Sequence, residues 1–367
     1  MAPERGGRLR APEAPMQFDE DQFKQIEALC RAMPLTRMAD YGMPRDLAER
    51  AHRLVREGAR WDEVLEKLGR EQEARAEQDP ARGRELWHAA AVCFVFAQMA
   101  FNADSERKRC LYRQMTHCFG RFAALSYFPV SRVSVPYRDG TLYGWHFHSG
   151  AGAASGTVIV FGGMSGWSTA YRSMAESLCR CGLDCLLVDG PGQGDSRLEG
   201  GVFADAHIAA GFSRFVEYVQ NCTPEQPVGV WGNSFGGLFA ALTSVRDQRI
   251  TACCINGAPI RAEIPPFRTA QEQLAALFGV ADAAELAPLL PALVFDGERA
   301  PLACATLVLE GGADPLVPVG TQQSFLTGNH HPLSRLETWP DGEHTIYNHA
   351  AERNVLAARW FAAALSS

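Results

Sequence analysis

From about residue 16 to residue 130 the apolar positions recur every three or four residues. The stripe Trp61, Val64, Leu65, Leu68 is the spacing of an amphipathic helix. The same period predicts helices over residues 24–30, 44–57, 61–78, 84–102 and 105–125. The fourth differs from the rest, because Trp87, Ala90, Ala91, Phe94, Val95 and Gln98 make a stripe wide enough for a helix buried on most sides. Asp104-Ser105 supplies a capping start for the helix that follows. Residues 16–130 therefore read as one all-helical domain, behind a Pro/Gly/Arg-rich stretch, 1–15, that is expected to be disordered.

At about residue 131 the rhythm changes to short apolar runs alternating with helices. Val133–Tyr137 and Leu142–Phe147 alternate as a hairpin around Asp139-Gly140. Thr157–Phe161, Leu183–Asp189, Val228–Trp231, Thr251–Asn256, Ala305–Leu309 and Leu336–Pro340 read as further strands, with helices such as Tyr171–Arg180 and Ala206–Val219 between them. Alternation of this kind predicts an α/β domain over 131–367, a mostly parallel, doubly wound sheet with helices on both faces. Between residues 259 and 301 the alternation stops. Two short helices, 268–278 and 281–293, are expected there as a lid-like insertion.

Composition narrows the class. The chain has 367 residues, 47% hydrophobic and 21% charged, which fits a globular protein of one large and one smaller domain. The net charge of −7 argues against a nucleic-acid surface. The first residues lack the apolar core of a signal peptide, and the run Ala89–Phe101 is too short to span a bilayer. None of the 11 cysteines shows zinc-finger spacing. They are expected to be buried reduced thiols of a cytoplasmic protein, with no metal and no organic cofactor.

The candidate chemistry lies in Val228-Gly229-Val230-Trp231-Gly232-Asn233-Ser234-Phe235-Gly236-Gly237, a strand running into a Gly-x-Ser-x-Gly turn that opens a helix. A serine on such a corner is exposed and strained, and the helix behind it points free amides at a developing oxyanion. A nucleophilic serine needs a base, and the base needs an orienting acid. Asp314, in the Gly-rich loop after Ala305–Leu309, is the expected acid, with Glu310 as fallback. His344, in the turn after Leu336–Pro340, is the expected base, ahead of His330, His331 and His349. The amide of Phe235 and one from Gly163 or Met164 are expected to form the oxyanion hole. Candidate substrate contacts are Trp167, Tyr347, Arg261 and Glu263, with Trp145 and Phe267 as further members of a pocket lining. The catalytic candidates all fall at the carboxyl ends of predicted strands, where open α/β sheets bind ligands. For the helical domain two readings stand: a structural or dimerising module, through which the chain would form a homodimer, and a cap over the serine.

Three segments, Asp189-Gly190-Pro191-Gly192-Gln193-Gly194, Gly232-Asn233-Ser234-Phe235-Gly236-Gly237 and Asp341-Gly342-Glu343-His344, resemble the α/β-hydrolases. Together with the N-terminal helical domain, the chain is similar to the 2,6-dihydroxypseudooxynicotine hydrolase group and its polyketide-shortening relatives. The resemblance implies a Ser–His–Asp hydrolase with its site between the two domains. It also implies cleavage of a carbon–carbon bond next to a ketone, of retro-Claisen type, through an acyl-enzyme, on a small aromatic ketone or polyketide-like substrate. It maps Ser234 as nucleophile, Asp314 as acid, His344 as base and Phe161-Gly162-Gly163-Met164 as the oxyanion loop; Asp189–Gly194 takes a structural role. A carboxylic ester or thioester hydrolase with the same triad is the alternative. A serine peptidase fits less well, for want of a β-propeller repeat. The remote alternative is a non-catalytic binding protein on the same fold.

Overall fold

The protein is described from a computed structural model, which covers residues 20–150, 152 and 154–366; the stretch 1–15 lies outside them. Six helices come first: α1 (Glu20–Ala32), α2 (Leu35–Asp40), α3 (Arg45–Arg56), α4 (Trp61–Gln78), α5 (Gly83–Gln98) and α6 (Glu106–Ala123). The wide stripe on α5 has its physical counterpart. Every residue of α5 from Leu86 to Gln98 is buried, with α4 and α6 packed along it. Ser105 caps α6, its hydroxyl accepting from the Lys108 amide. The short α2 was not predicted from the sequence: at six residues it carries too few turns to show a period.

Eight strands follow: β1 (Val130–Tyr137), β2 (Gly140–Phe147), β3 (Thr157–Phe161), β4 (Asp184–Asp189), β5 (Val228–Asn233), β6 (Ile250–Asn256), β7 (Ala305–Gly311) and β8 (Arg335–Trp339). They form one sheet in the order β1-β2-β4-β3-β5-β6-β7-β8. The β1–β2 and β2–β4 pairs are antiparallel and the rest parallel. The interior strands β3, β4 and β5 are buried at every position, as continuous apolar runs require. On one face the sheet packs against the N-terminal helices, α7 (Arg172–Arg180) and α13 (Ala350–Ala364). On the other it packs against α9 (Ile208–Cys222) and α10 (Phe235–Arg246), with α8 (Gly194–Leu198) at one edge.

Two local expectations are corrected. The hairpin does not turn at Asp139-Gly140. Tyr137 pairs with Gly140, so the loop is Arg138-Asp139, with Arg138 at φ 54°. Gly140 serves close approach instead, since a Cβ there would stand 2.4 Å from the Gly200 carbonyl oxygen. Between β6 and β7 the first expected helix forms as α11 (Arg268–Phe278). The second shrinks to α12 (Ala283–Leu286) and a 3-10 turn, Leu290–Ala292. Pro288 and Pro291 remove backbone donors in the interior of that expected helix. Among the described residues no single helix is long and apolar enough to cross a membrane. All 11 cysteines are free; Cys110 and Cys222 are exposed, unlike the buried thiols expected.

Candidate active site

Strand β5 ends at Asn233 and helix α10 starts at Phe235, leaving Ser234 as the single residue of the corner. Its backbone sits at φ 54°, ψ −128°, a region that costs a non-glycine residue about 1–3 kcal/mol. The surrounding packing enforces it. The Ser234 amide donates to the Asn256 carbonyl at 2.8 Å, and the Gly237 amide donates to the Ser234 carbonyl at 2.8 Å. The corner has no room for side chains. A Cβ on Gly232 would meet the Gly236 carbonyl oxygen at 2.0 Å, and one on Gly236 would meet the carbonyl oxygens of Gly162 and Phe161 at 2.5 and 2.6 Å.

His344 follows β8 and reaches back over this corner. Its Nε2 lies 2.9 Å from the Ser234 Oγ and its Nδ1 lies 2.8 Å from Asp314 Oδ2. Asp314 Oδ1 accepts from the amides of Leu316 and Val317 at 2.8 and 3.1 Å, which fixes the carboxylate in its loop after β7. The fallback Glu310 turns away and accepts from the Gly320 amide at 2.7 Å. Of the competing histidines, His349 pairs with Asp341 at 2.9 Å and His331 accepts from the Leu333 amide; neither has a bond to Ser234. Thr345 and Ile346, immediately after His344, both adopt positive φ, 52° and 62°, which β-branched residues do at real cost. The Thr345 carbonyl is held there by Arg353 Nη1 at 2.7 Å and Asn256 Nδ2 at 3.1 Å. Arg353 is itself locked by Asp40 of α2, at 2.7 and 3.1 Å, in a fully buried pair. Thr36, also of α2, donates to the Glu343 carboxylate at 2.5 Å. The N-terminal helices thus bear directly on the loop that carries His344.

The third component is the corner after β3, Gly162–Trp167. Gly163 packs on the elbow so closely that a Cβ would stand 2.9 Å from the Asn233 carbonyl oxygen and 3.0 Å from the Ser234 Cβ. The Gly163 amide contacts the hydroxyl of the buried Tyr171. Gln193, from the Asp-Gly-Pro-Gly-Gln-Gly segment, donates from Nε2 to the carbonyls of Gly162 and Gly163 at 2.6 and 2.9 Å. Its own Oε1 accepts from the Gly190 amide at 2.9 Å. Asp189 of that segment is fully buried and accepts from Tyr112, the Ser168 amide and the Asp195 amide, so it braces the corner rather than facing Ser234. Arg37 of α2 reaches the corner too, donating to the Ser165 hydroxyl at 3.2 Å.

The candidate contact residues divide. Tyr347 lies beside His344, ring centroids 6.2 Å apart, under the Arg37 guanidinium and against Tyr41. Trp167 is buried and lines a cleft with Met164, Ser165, Met99, Lys108 and Arg197. Lys108 Nζ donates to the Phe101 carbonyl at 2.7 Å and stands 5.0 Å from the Trp167 ring; burial, with Arg197 nearby, pushes its ammonium down to about 7. Arg261 and Glu263 point outward, more than half exposed and 3.9 Å from each other, and Phe267 is exposed. Trp145 sits in the core against Phe119. Arg37, Gln193 and Lys108 were not singled out from the sequence. Only Gln193 had a local signal, its place in the Asp-Gly-Pro-Gly-Gln-Gly string.

This architecture, a mostly parallel eight-stranded sheet with a serine elbow after the fifth strand, is the α/β-hydrolase fold, here preceded by a layer of helices. Residues 152–294 match the family described as serine aminopeptidase, S33. Along its sequence the chain resembles the 2,6-dihydropseudooxynicotine hydrolase of Paenarthrobacter nicotinovorans, with 24% identity over 82% of this chain and 83% of that one. The solved structure of 2,6-dihydroxy-pseudo-oxynicotine hydrolase superposes with a TM-score of 0.78 at 21% identity, covering 90% of this chain and 95% of that one. The structure of AbyA5 follows at 0.65 and 19%, covering 79% and 80%. The Pyrococcus furiosus esterase Pf2001 superposes at 0.51 and 19%, covering 65% of this chain and 94% of its own. The esterase therefore matches a smaller part of this chain than the first two do.

Proposed function

We propose that the protein is a serine hydrolase that cleaves a carbon–carbon bond next to a ketone in a small, aromatic or polyketide-like substrate. The observation that carries the hydrolase reading is the unbroken chain Ser234 Oγ, His344 Nε2, His344 Nδ1, Asp314 Oδ2, with contacts of 2.9 and 2.8 Å. His344 takes the Ser234 proton as Oγ attacks the substrate carbonyl. The amides of Phe235 and Met164 stabilise the oxyanion, the Gly163 amide being engaged with the Tyr171 hydroxyl. The adduct collapses by releasing an enolate or phenol-stabilised carbanion, and His344 returns the proton to the leaving carbon. Water, deprotonated by His344, then releases the acid from the acyl-serine. The likeness to the dihydroxypseudooxynicotine hydrolase over 90% of this chain, helices included, supports the carbon–carbon reading over the ester one.

The helical layer acts as a cap in this reading. It supplies Arg37, Tyr41 and Lys108 around the serine corner and the Trp167 cleft, and a closed, dry site suits carbanion chemistry. Gln193 is a positioning residue for the oxyanion corner. Gln193→Leu is expected to lower kcat by roughly 10–10²-fold with little change in KM, because the amides it aligns act in the transition state. Steady-state kinetics check this split; a rise in KM at constant kcat would assign Gln193 to substrate binding instead.

Product analysis by mass spectrometry tests the bond. An aryl β-diketone and an aryl ester of similar size are offered to wild type and to Ser234→Ala. Serine-dependent conversion of the diketone to acid plus ketone is the expected result. Cleavage of the ester alone would replace the carbon–carbon reading with that of an esterase.

A further inference from the structure

At the opposite end of the sheet from Ser234, His146, His148 and Asp184 bring one ligand atom each to within 4.8 Å of one another. His146 lies in β2, His148 just beyond it, and Asp184 opens β4. The pleat places His146 and His148, two residues apart, on the same face, with rings 4.2 Å apart. Asp184 turns Oδ2 toward both: 3.2 Å from His148 Nδ1 and 3.8 Å from His146 Nε2.

Each part of this cluster is braced from outside. Asp184 Oδ1 accepts from the Ser149 amide at 2.8 Å and the Ser149 hydroxyl at 3.0 Å, leaving Oδ2 to the histidines. His148 Nε2 is 3.4 Å from the Ser131 hydroxyl, which orients the ring. His146, with its side chain 5% exposed, holds Nε2 in the interior without a hydrogen-bond partner. A buried imidazole nitrogen aimed at a carboxylate and left unsatisfied is costly unless something occupies the space between them.

We propose that this cluster binds a divalent transition-metal ion, zinc best fitting it, through His146 Nε2, His148 Nδ1 and Asp184 Oδ2. Zinc bonds of about 2.0–2.2 Å in a tetrahedron put ligand atoms about 3.3 Å apart; the two histidine–Asp184 separations are 3.2 and 3.8 Å, and with all three ligand atoms within 4.8 Å of one another the set must draw in toward the ion. Two imidazoles and a carboxylate favour zinc, copper or nickel over calcium or magnesium. The ligated groups and their Ser149 and Ser131 partners match the pattern in which outer hydrogen bonds fix the ligand orientations. The site is structural. It stands at the level of Val228, about 17 Å along the sheet from Asn233, and it ties the β1–β2 hairpin to β4. His-x-His on a strand was the local signal in the sequence; Asp184 joins it only through the antiparallel β2–β4 pairing.

Zinc binding to the full-length protein is measured by equilibrium dialysis against a competing chelator, for wild type, His148→Ala and Asp184→Asn. His148 is 40% exposed, so its replacement leaves the core intact; retained near-ultraviolet circular dichroism checks this for both variants. One zinc per chain is expected, weakened on the order of 10²-fold in each variant. Cobalt in its place is expected to give visible d–d bands of a tetrahedral site without thiolate charge transfer. Cys179 and Cys185 pack with the opposite face of the sheet. No stoichiometric zinc, binding in both variants as tight as in the wild type (an adventitious ion only), or a thiolate band would each overturn the proposal.

Discussion

Ser234→Ala is expected to lower kcat by about 10⁴–10⁶-fold on the substrate that the wild type turns over, with KM little changed. The effect is that large because, in the proposed mechanism, the three groups act as one unit. His344 has Ser234 on one ring nitrogen and Asp314 on the other, and removing the hydroxyl leaves the base with no proton to take. The same logic predicts non-additivity. The double variant Ser234→Ala/His344→Ala should be no slower than either single one by more than a small factor, since the second loss removes a part already idle. The elbow should stay folded, because alanine keeps the Cβ that Ser234 already holds at φ 54° and the backbone bonds to Asn256 and Gly237 persist. Single-turnover kinetics and stoichiometric labelling by a fluorophosphonate check the prediction. Near-wild-type turnover in Ser234→Ala would remove Ser234 as the nucleophile; an inert Ser234 in a wild type without turnover would return the chain to the reading of a non-catalytic binding protein.

The contrast between what the chain disclosed and what it withheld follows sequence distance. Strand β5, the elbow and α10 are contiguous, so apolar run, Gly-x-Ser-x-Gly and helix start could be read together. Asp314 and His344 were legible because each follows its own strand in the order such sites require. The supports of the site are long-range and left no local trace. Asp40 and Arg353 are 313 residues apart, and Thr36 and Glu343 are 307 apart. Nor did the sequence betray the backbone strain at Thr345 and Ile346, because positive φ is normally announced by glycine or asparagine and here falls on β-branched residues. Arg261 and Glu263 looked like pocket residues because they sit in an insertion beside the site. In the fold both side chains are more than half exposed, and the segment is held by a β-bridge of Arg261 with Val294. Pro288 and Pro291 lie inside the second expected insertion helix and limit it to α12.

The Asp40–Arg353 pair carries the second large effect, and it separates stability from catalysis. Both side chains are fully buried, and removing one partner leaves the other charge uncompensated, at a cost of about 3–5 kcal/mol. Asp40→Asn and Arg353→Met should therefore both lower the midpoint of thermal unfolding by several degrees. Their effects on turnover should differ. Arg353 Nη1 also donates to the Thr345 carbonyl at 2.7 Å, one residue from His344, whereas the Asp40 carboxylate makes its hydrogen bonds to Arg353. In Asp40→Asn the arginine still holds Thr345, and kcat in the folded enzyme should fall only a few-fold. In Arg353→Met the strained Thr345–Ile346 turn loses its main donor and relaxes, His344 drifts from the 2.9 Å contact with Ser234, and kcat should fall by roughly 10²-fold, the order that an ångström of misplacement costs. The double variant Asp40→Leu/Arg353→Met should recover part of the lost stability, because no buried charge remains, without recovering kcat. Thermal unfolding and steady-state kinetics on the three variants decide it: if kcat returns together with stability in the double variant, the pair holds the fold alone and Arg353 has no part in setting His344.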